Sequence, residues 1–320
     1  MIDSELQDFV NRIRAGWSAF PDLSTRPLAV QRDAAEQVRA PWASGGPVMA
    51  RREDLTIAVA DGATVRARLM LAAAPSAPPP VLIYLHGGGF TTFSIDTHDR
   101  IMREYAARAG VAVLGIDYAL SPEAKYPVAL DQVVAAIDWL AGGGAGPAID
   151  AARIAIGGDS AGANLALSAC LRLRDRGEAG RIAAALFAYG FFDDDFTTAS
   201  HRDHGGDDKI LTTTELGAYL DNYLGGTPHR DDPLALPARA NLHGLPPSFH
   251  IVAACDPLAD GDRAVAARMA AAGNEVRCEV YPGAVHSFLE AVSISSLADR
   301  AFAESAEWLA GRFGAGEHAR

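Results

Sequence analysis

Apolar residues near the start of the chain fall at helical spacing: Leu6, Phe9, Val10, Ile13 and Trp17 mark one face of an amphipathic helix that must lie on something. Ala34 to Val38 predicts a second, short helix, broken by Pro41 and by Ser44-Gly45-Gly46-Pro47. The period then changes. Segments 55–60 and 65–71 flank Asp61-Gly62, a hairpin signal, and the Ala- and Pro-rich run 72–80 is a loop. From Val81 onward, short apolar runs alternate with helical segments. Strands are expected at 81–85, 111–116, 154–156, 182–189, 249–254 and 275–281, and helices at 99–108, 129–140, 165–173, 263–272 and about 297–313. Continuously apolar strands separated by helices predict an α/β fold with a parallel sheet covered on both faces.

The rhythm breaks once, over the polar stretch 191–232, with a helix near 214–223. This interruption and the first fifty residues read as a helical cap laid over the carboxyl edge of the sheet, where open α/β sheets bind ligands. The expected organisation is therefore an N-terminal cap segment at 1–50, a main α/β domain at 51–190 and 233–320, and a cap insertion at 191–232. No internal repeat or low-complexity tract is visible.

Composition narrows the classes. With 49% hydrophobic residues in 320, the chain can bury a full core. A formal charge of −12 argues against nucleic acid or an anionic membrane as partner, since both select clustered Lys and Arg. The three cysteines, Cys170, Cys255 and Cys278, have no C-x-x-C spacing and read as reduced thiols in buried segments. No signal-peptide pattern and no membrane-length apolar run is present, so a cytoplasmic protein is expected.

Candidate chemistry gathers at strand ends. Gly158-Asp159-Ser160-Ala161-Gly162 is a G-x-S-x-G motif between an apolar run and a helix-forming one. In that context a sharp strand-to-helix turn holds the serine in a strained conformation with its hydroxyl exposed. Taken alone, the pentapeptide could equally be a glycine-rich strand end with an incidental serine. A second glycine stretch, His86-Gly87-Gly88-Gly89-Phe90, follows the strand at 81–85. It suits an oxyanion hole made by the amides of Gly88, Gly89 and Ala161. A phosphate loop would want G-x-G-x-x-G or Gly-Lys-Ser/Thr, and neither occurs. In this arrangement the carboxylate and then the base follow later strands. Asp256 follows the strand at 249–254, and His286 follows the strand at 275–281. Asp260 and Asp262 lie further into a loop or helix start, where a carboxylate is often only a cap. His243 and His250 precede or open a strand, and His98, His229 and His318 have polar, solvated surroundings. Ser160, His286 and Asp256 thus form the expected triad.

With these residues in place, the chain resembles the hormone-sensitive-lipase-like family of α/β-hydrolases, on its bacterial carboxylesterase side. The matches are His86–Phe90, Asp117-Tyr118-Ala119-Leu120-Ser121-Pro122-Glu123, Gly158–Asn164, Asp256-Pro257-Leu258 and Tyr281–His286. Ser121 and Ser287 depart from the family's usual alanine and glycine. The resemblance implies an α/β-hydrolase fold with a mostly parallel eight-stranded sheet, a helical cap, and carboxylester hydrolysis without cofactor; the cap in turn suggests a closed pocket and hence short-to-medium acyl chains, and no metal site is expected. Family members are often dimers through the last strand or the cap, so a homodimer is one expected assembly. His86, Asp159 and Glu123 are expected to support the reacting groups; Glu123 is either a hydrogen-bond partner near the elbow or a buried structural carboxylate.

Phe90, Tyr189, Phe191, Phe192 and Phe288 sit where they could line an acyl or alcohol pocket, or be plain core. His201-Arg202-Asp203-His204-Gly205-Gly206-Asp207-Asp208 contains metal-ligand types but no known spacing, and reads as a solvated cap loop. One of Asp193, Asp194 and Asp195 is a candidate helix cap at the sheet-to-cap junction. Alternatives to an esterase are an amidase or formamidase using the same triad, and a non-catalytic ligand receptor on the same fold. Retention of His286 weighs against the receptor. A lipid-surface lipase is disfavoured by the acidic chain and the absence of an apolar lid helix.

Overall fold

Eight strands form one sheet in the order β1-β2-β4-β3-β5-β6-β7-β8. They are β1 (Arg51–Ala58), β2 (Thr64–Leu71), β3 (Val81–Leu85), β4 (Ala112–Asp117), β5 (Ile154–Asp159), β6 (Ile182–Ala188), β7 (Ser248–Cys255) and β8 (Val276–Val285). β2 runs antiparallel to both its neighbours, and every other pairing is parallel. The computed structural model describes residues 1–59, 62–74, 77–226 and 229–314. Ala60 and Asp61 of the expected hairpin turn lie outside those residues, as does His318, but the strands on either side pair as expected.

The helices are α1 (Ser4–Trp17), α2 (Leu28–Ala43), α3 (Asp99–Ala109), α4 (Val128–Ala141), α5 (Ala161–Asp175), α6 (Ala199–His204), α7 (Thr213–Leu224), α8 (Ala259–Ala271) and α9 (Ser296–Gly314). The side-chain period of two divides β3 between two cores. Val81, Ile83 and Leu85 pack with α4, α5 and α8, whereas Leu82 and Tyr84 pack with α3 and α9. All five residues of β3 are buried, which is why the sequence there shows no polar alternation.

The two parts of the cap extend opposite cores. Leu6, Phe9, Val10 and Ile13 of α1 join the α3–α9 side, and Leu216, Leu220 and Tyr223 of α7 join the α4–α5 side. α2 is longer than its sequence suggests and runs through Pro41. Pro41 stands in the last turn and removes one bond, that to the Gln37 carbonyl, while burial of Trp42 edge-on against Phe9 (centroids 4.7 Å apart) carries the helix onward. In the 201–208 stretch Arg202, Asp203, Asp207 and Asp208 are exposed as expected, but residues 201–204 belong to α6. His201 is buried in α6, with its ring 2.9 Å from the Thr213 hydroxyl. At the sheet-to-cap junction no aspartate caps a helix; Asp194 instead pairs with Arg230 and Arg239. Of the cysteines only Cys170 is buried; Cys255 is half-buried, and Cys278 is exposed because β8 is an edge strand. No helix among the described residues is long and apolar enough to cross a membrane.

Phe9 is fully buried where α1 meets α2. Phe9→Ala should lower the stability of the folded state by about 3 kcal/mol, read as a reduced urea midpoint.

Candidate active site

β5 ends at Asp159, and α5 begins at Ala161. Ser160 carries the whole change of direction, with φ 53° and ψ −118°, a conformation that non-glycine residues avoid. Its amide donates to the Ala188 carbonyl at 2.9 Å, and its carbonyl accepts from Phe191 at 3.1 Å, so β6 and the segment after it hold the turn. A Cβ on Gly158 would meet the Gly162 backbone, and one on Gly162 would collide with the carbonyl oxygen of Leu85. The missing side chains allow the turn to press against the end of β3.

That contact sets the glycine loop beside Ser160. Gly88 and Gly89 have φ of 108° and 59°, and a Cβ on Gly88 would collide with the Thr92 carbonyl. The Gly88 carbonyl accepts from the amides of Thr91 and Thr92, and the Thr91 hydroxyl donates to the Gly89 carbonyl at 3.0 Å. With the carbonyls tied down, the Gly88 and Gly89 amides have no acceptor among the described residues. Both glycines line a cavity of about 80 Å3 together with Ser160 and His286.

His286 and Asp256 are brought together by β7 and β8. The ring Nδ1 lies 2.7 Å from Asp256 Oδ2, and Asp256 Oδ1 accepts from the Leu258 amide at 2.9 Å. Asp256 is fully buried, and the His286 ring packs edge-on against Tyr189. An imidazole held through Nδ1 by a buried carboxylate leaves Nε2 to exchange a proton in the cavity. Ser287, at φ 61°, turns the chain from β8 into the 288–293 turn of 3₁₀ helix.

Beneath the glycine loop lies a buried polar cluster. Asp159 accepts from the Tyr84 hydroxyl at 2.8 Å and the Gly87 amide at 3.2 Å, and its other oxygen lies 3.3 Å from His98 Nε2. Burial opposes charge on both groups. Their mutual attraction outweighs it, holding the His98 imidazole above its ordinary range and the Asp159 carboxyl below its own. His98 is therefore no solvated residue, as its polar sequence neighbours suggested; it is 1% exposed. His86 is also buried, stacked on Tyr118 with ring centroids 4.2 Å apart, and burial pushes its pKa down to about 4.

Several expected positions differ. Glu123 does not approach the elbow. It is an exposed carboxylate that pairs with Arg32, whose guanidinium also donates to the carbonyls of Thr91 and Ser121. Arg32 sits just over one turn into α2, out of reach of any motif, and it draws Glu123 outward. Phe90, Tyr189, Phe191 and Phe288 do not line the cavity holding Ser160: Phe90 stacks on Tyr223 at 3.8 Å, Phe288 is fully buried against Tyr189 and Tyr281, and Phe191 is core. Phe192 is core as well. The apolar wall comes instead from Trp17, Phe93, Leu216 and Tyr219, supplied by both parts of the cap and by the glycine loop. Trp17 alone was visible as part of a face needing a partner. An adjoining cavity of about 510 Å3 between α1, α2 and α7 shares Trp17, Phe93 and Tyr219 with this wall.

The His98–Asp159 pair gives a pH signature. The stability due to the raised imidazole is present below its ordinary range and fades as pH rises through the raised value, whereas that due to the lowered carboxyl fades only in acid. His98→Gln should cost about 3 kcal/mol near pH 6 and progressively less toward pH 9, measured by urea unfolding. A pH-independent difference would show that the pair is not ionised.

A family described as having an alpha/beta hydrolase fold matches residues 82–290. Solved structures agree over nearly the whole chain. The ester hydrolase EH1AB1 from the Lake Arreo metagenome, in complex with a derivative of bipyridine phosphonate, is 31% identical with a TM-score of 0.91, covering 98% of this chain and 100% of that one. The thermophilic carboxylesterase EstE1 from a metagenomic library is 30% identical (TM-score 0.86, covering 90% and 98%). An esterase of Pyrobaculum calidifontis is 27% identical (TM-score 0.86, covering 97% and 99%). The sheet order, the glycine-framed turn and these matches together make the chain a member of the hormone-sensitive-lipase-like family of α/β-hydrolases.

Proposed function

We propose that the chain is a serine carboxylesterase acting on short-to-medium acyl esters of small molecules. The observation that carries this reading is the meeting, in one cavity, of a strained Ser160, a carboxylate-held His286 and two glycine amides without acceptors. The ester-hydrolase activity named for the structural relatives supports the same class.

In the proposed reaction, Ser160 Oγ attacks the ester carbonyl as His286 Nε2 takes its proton, and Asp256 stabilises the imidazolium. The amides of Gly88, Gly89 and Ala161 bind the tetrahedral oxyanion. Collapse breaks the bond to the alcohol, which leaves with the proton from His286. Water, deprotonated by the same imidazole, then attacks the acyl-enzyme and releases the acid. The role proposed for Asp159 and His86 is support: they hold the glycine loop from behind.

Ser160→Ala should lower kcat by about 10⁴-fold or more while leaving the fold intact by circular dichroism, and should abolish covalent labelling by an organophosphate. An unlabelled parent protein would favour the receptor reading. The adjoining cavity holds about 510 Å3, too little for a long acyl chain, so kcat/KM for p-nitrophenyl butanoate should exceed that for the hexadecanoate by roughly tenfold or more. The reverse order would refute the short-to-medium assignment.

A further inference from the structure

One group in the wall of the reaction cavity has no part in the proposed chemistry. Arg39 of α2 lines that cavity and is 5% exposed. Its Nη1 donates to Glu290 Oε2 at 3.1 Å, and its guanidinium lies 5.1 Å from the centroid of the Phe93 ring. Neither its Nε, which is buried, nor its Nη2, which is not, has an acceptor among the described residues. A buried guanidinium N–H without an acceptor is a substantial penalty, larger than for a neutral donor. The ion pair alone leaves both donors unexplained.

Resting on the esterase reading, we propose that Arg39 is a specificity-determining residue: its side chain binds a second, neutral oxygen acceptor of the substrate, an ether or ketone oxygen placed away from the scissile carbonyl. Neutrality follows from the surrounding charge. Glu290 already balances the guanidinium, His98 balances Asp159, and Glu215 adds a carboxylate to the same wall. A substrate carboxylate would meet more negative charge than positive. A neutral oxygen takes the Nη2 donor without that repulsion, and a plain alkyl chain leaves it unpaired. Sites built to hydrogen-bond a substrate discriminate against the analogue lacking the acceptor for this reason.

Pairs of matched esters test this: p-nitrophenyl methoxyacetate against butanoate, p-nitrophenyl 4-oxopentanoate against hexanoate, and 2-methoxyethyl against butyl butanoate. The kcat/KM ratio of each pair is divided by its alkaline-hydrolysis ratio, which removes intrinsic reactivity. At least one corrected ratio should be roughly tenfold above unity for the parent protein. It should fall toward unity in Arg39→Lys, which keeps a positive charge beside Glu290 without the planar fork, and in Arg39→Met/Glu290→Gln. The p-nitrophenyl half-ester of succinate should be a poorer substrate than the methoxyacetate. Corrected ratios near unity for all pairs in the parent, unchanged ratios in a folded variant, or preference for the succinate half-ester would overturn the inference while butanoate hydrolysis leaves the esterase reading intact. Failure to turn over any ester would overturn both.

Discussion

The site depends on how closely two backbones can approach. The turn at Ser160 presses into the end of β3 through two positions that carry no side chain, and the Leu85 carbonyl fills the space a methyl group would need. Because β3 and β5 are neighbours in register, with Leu85 opposite Gly158, this approach sets the serine and the glycine loop side by side before any cap residue takes part. The strain in Ser160 is supported by hydrogen bonds from β6 on one side and from the segment after it on the other.

Around that contact the molecule divides into two cores, and the reaction cavity lies where their outer edges meet. α1 and α2 belong to one side, α7 mainly to the other, and neither closes the cavity alone. Two buried ionic pairs lie on the α3–α9 side. Asp159 and His98 are buried beneath the glycine loop, whereas Arg39 and Glu290 connect α2 to the turn that follows His286. The polar atoms of the His98–Asp159 pair are all hydrogen-bonded, the condition under which charge can persist inside a protein, whereas the Arg39–Glu290 pair leaves Arg39 Nε without an acceptor among the described residues.

Much of this was legible in the sequence because it rests on local signals. Apolar runs gave the parallel strands, and glycines framing a serine gave the turn. The position of Asp256 and His286 just past later strands identified their pairing. What escaped depends on contacts between distant segments. Glu123 is drawn outward by Arg32, 91 positions away. Phe288 is the right residue type close to the histidine, yet its ring turns into the α3–α9 core, because the αL conformation at Ser287 redirects the chain. His98 sits among Ser, Asp and Thr, which suggest solvent; only the fold reveals that those neighbours and Asp159 bury it. The pocket walls were the least legible part, since a cap made from two separate segments leaves no common pattern in either.

The clamp formed by Arg32 bears on how a substrate reaches Ser160. This one side chain, projecting from the N-terminal segment, grips the carbonyls of Thr91 and Ser121 on the reverse of the glycine loop. Lifting α2 to admit a ligand would tug on the very strip of main chain whose amides face the cavity. The N-terminal segment is thus better suited to bracing than to opening, while on the opposite flank α7 leans its Tyr219 ring over Gly89.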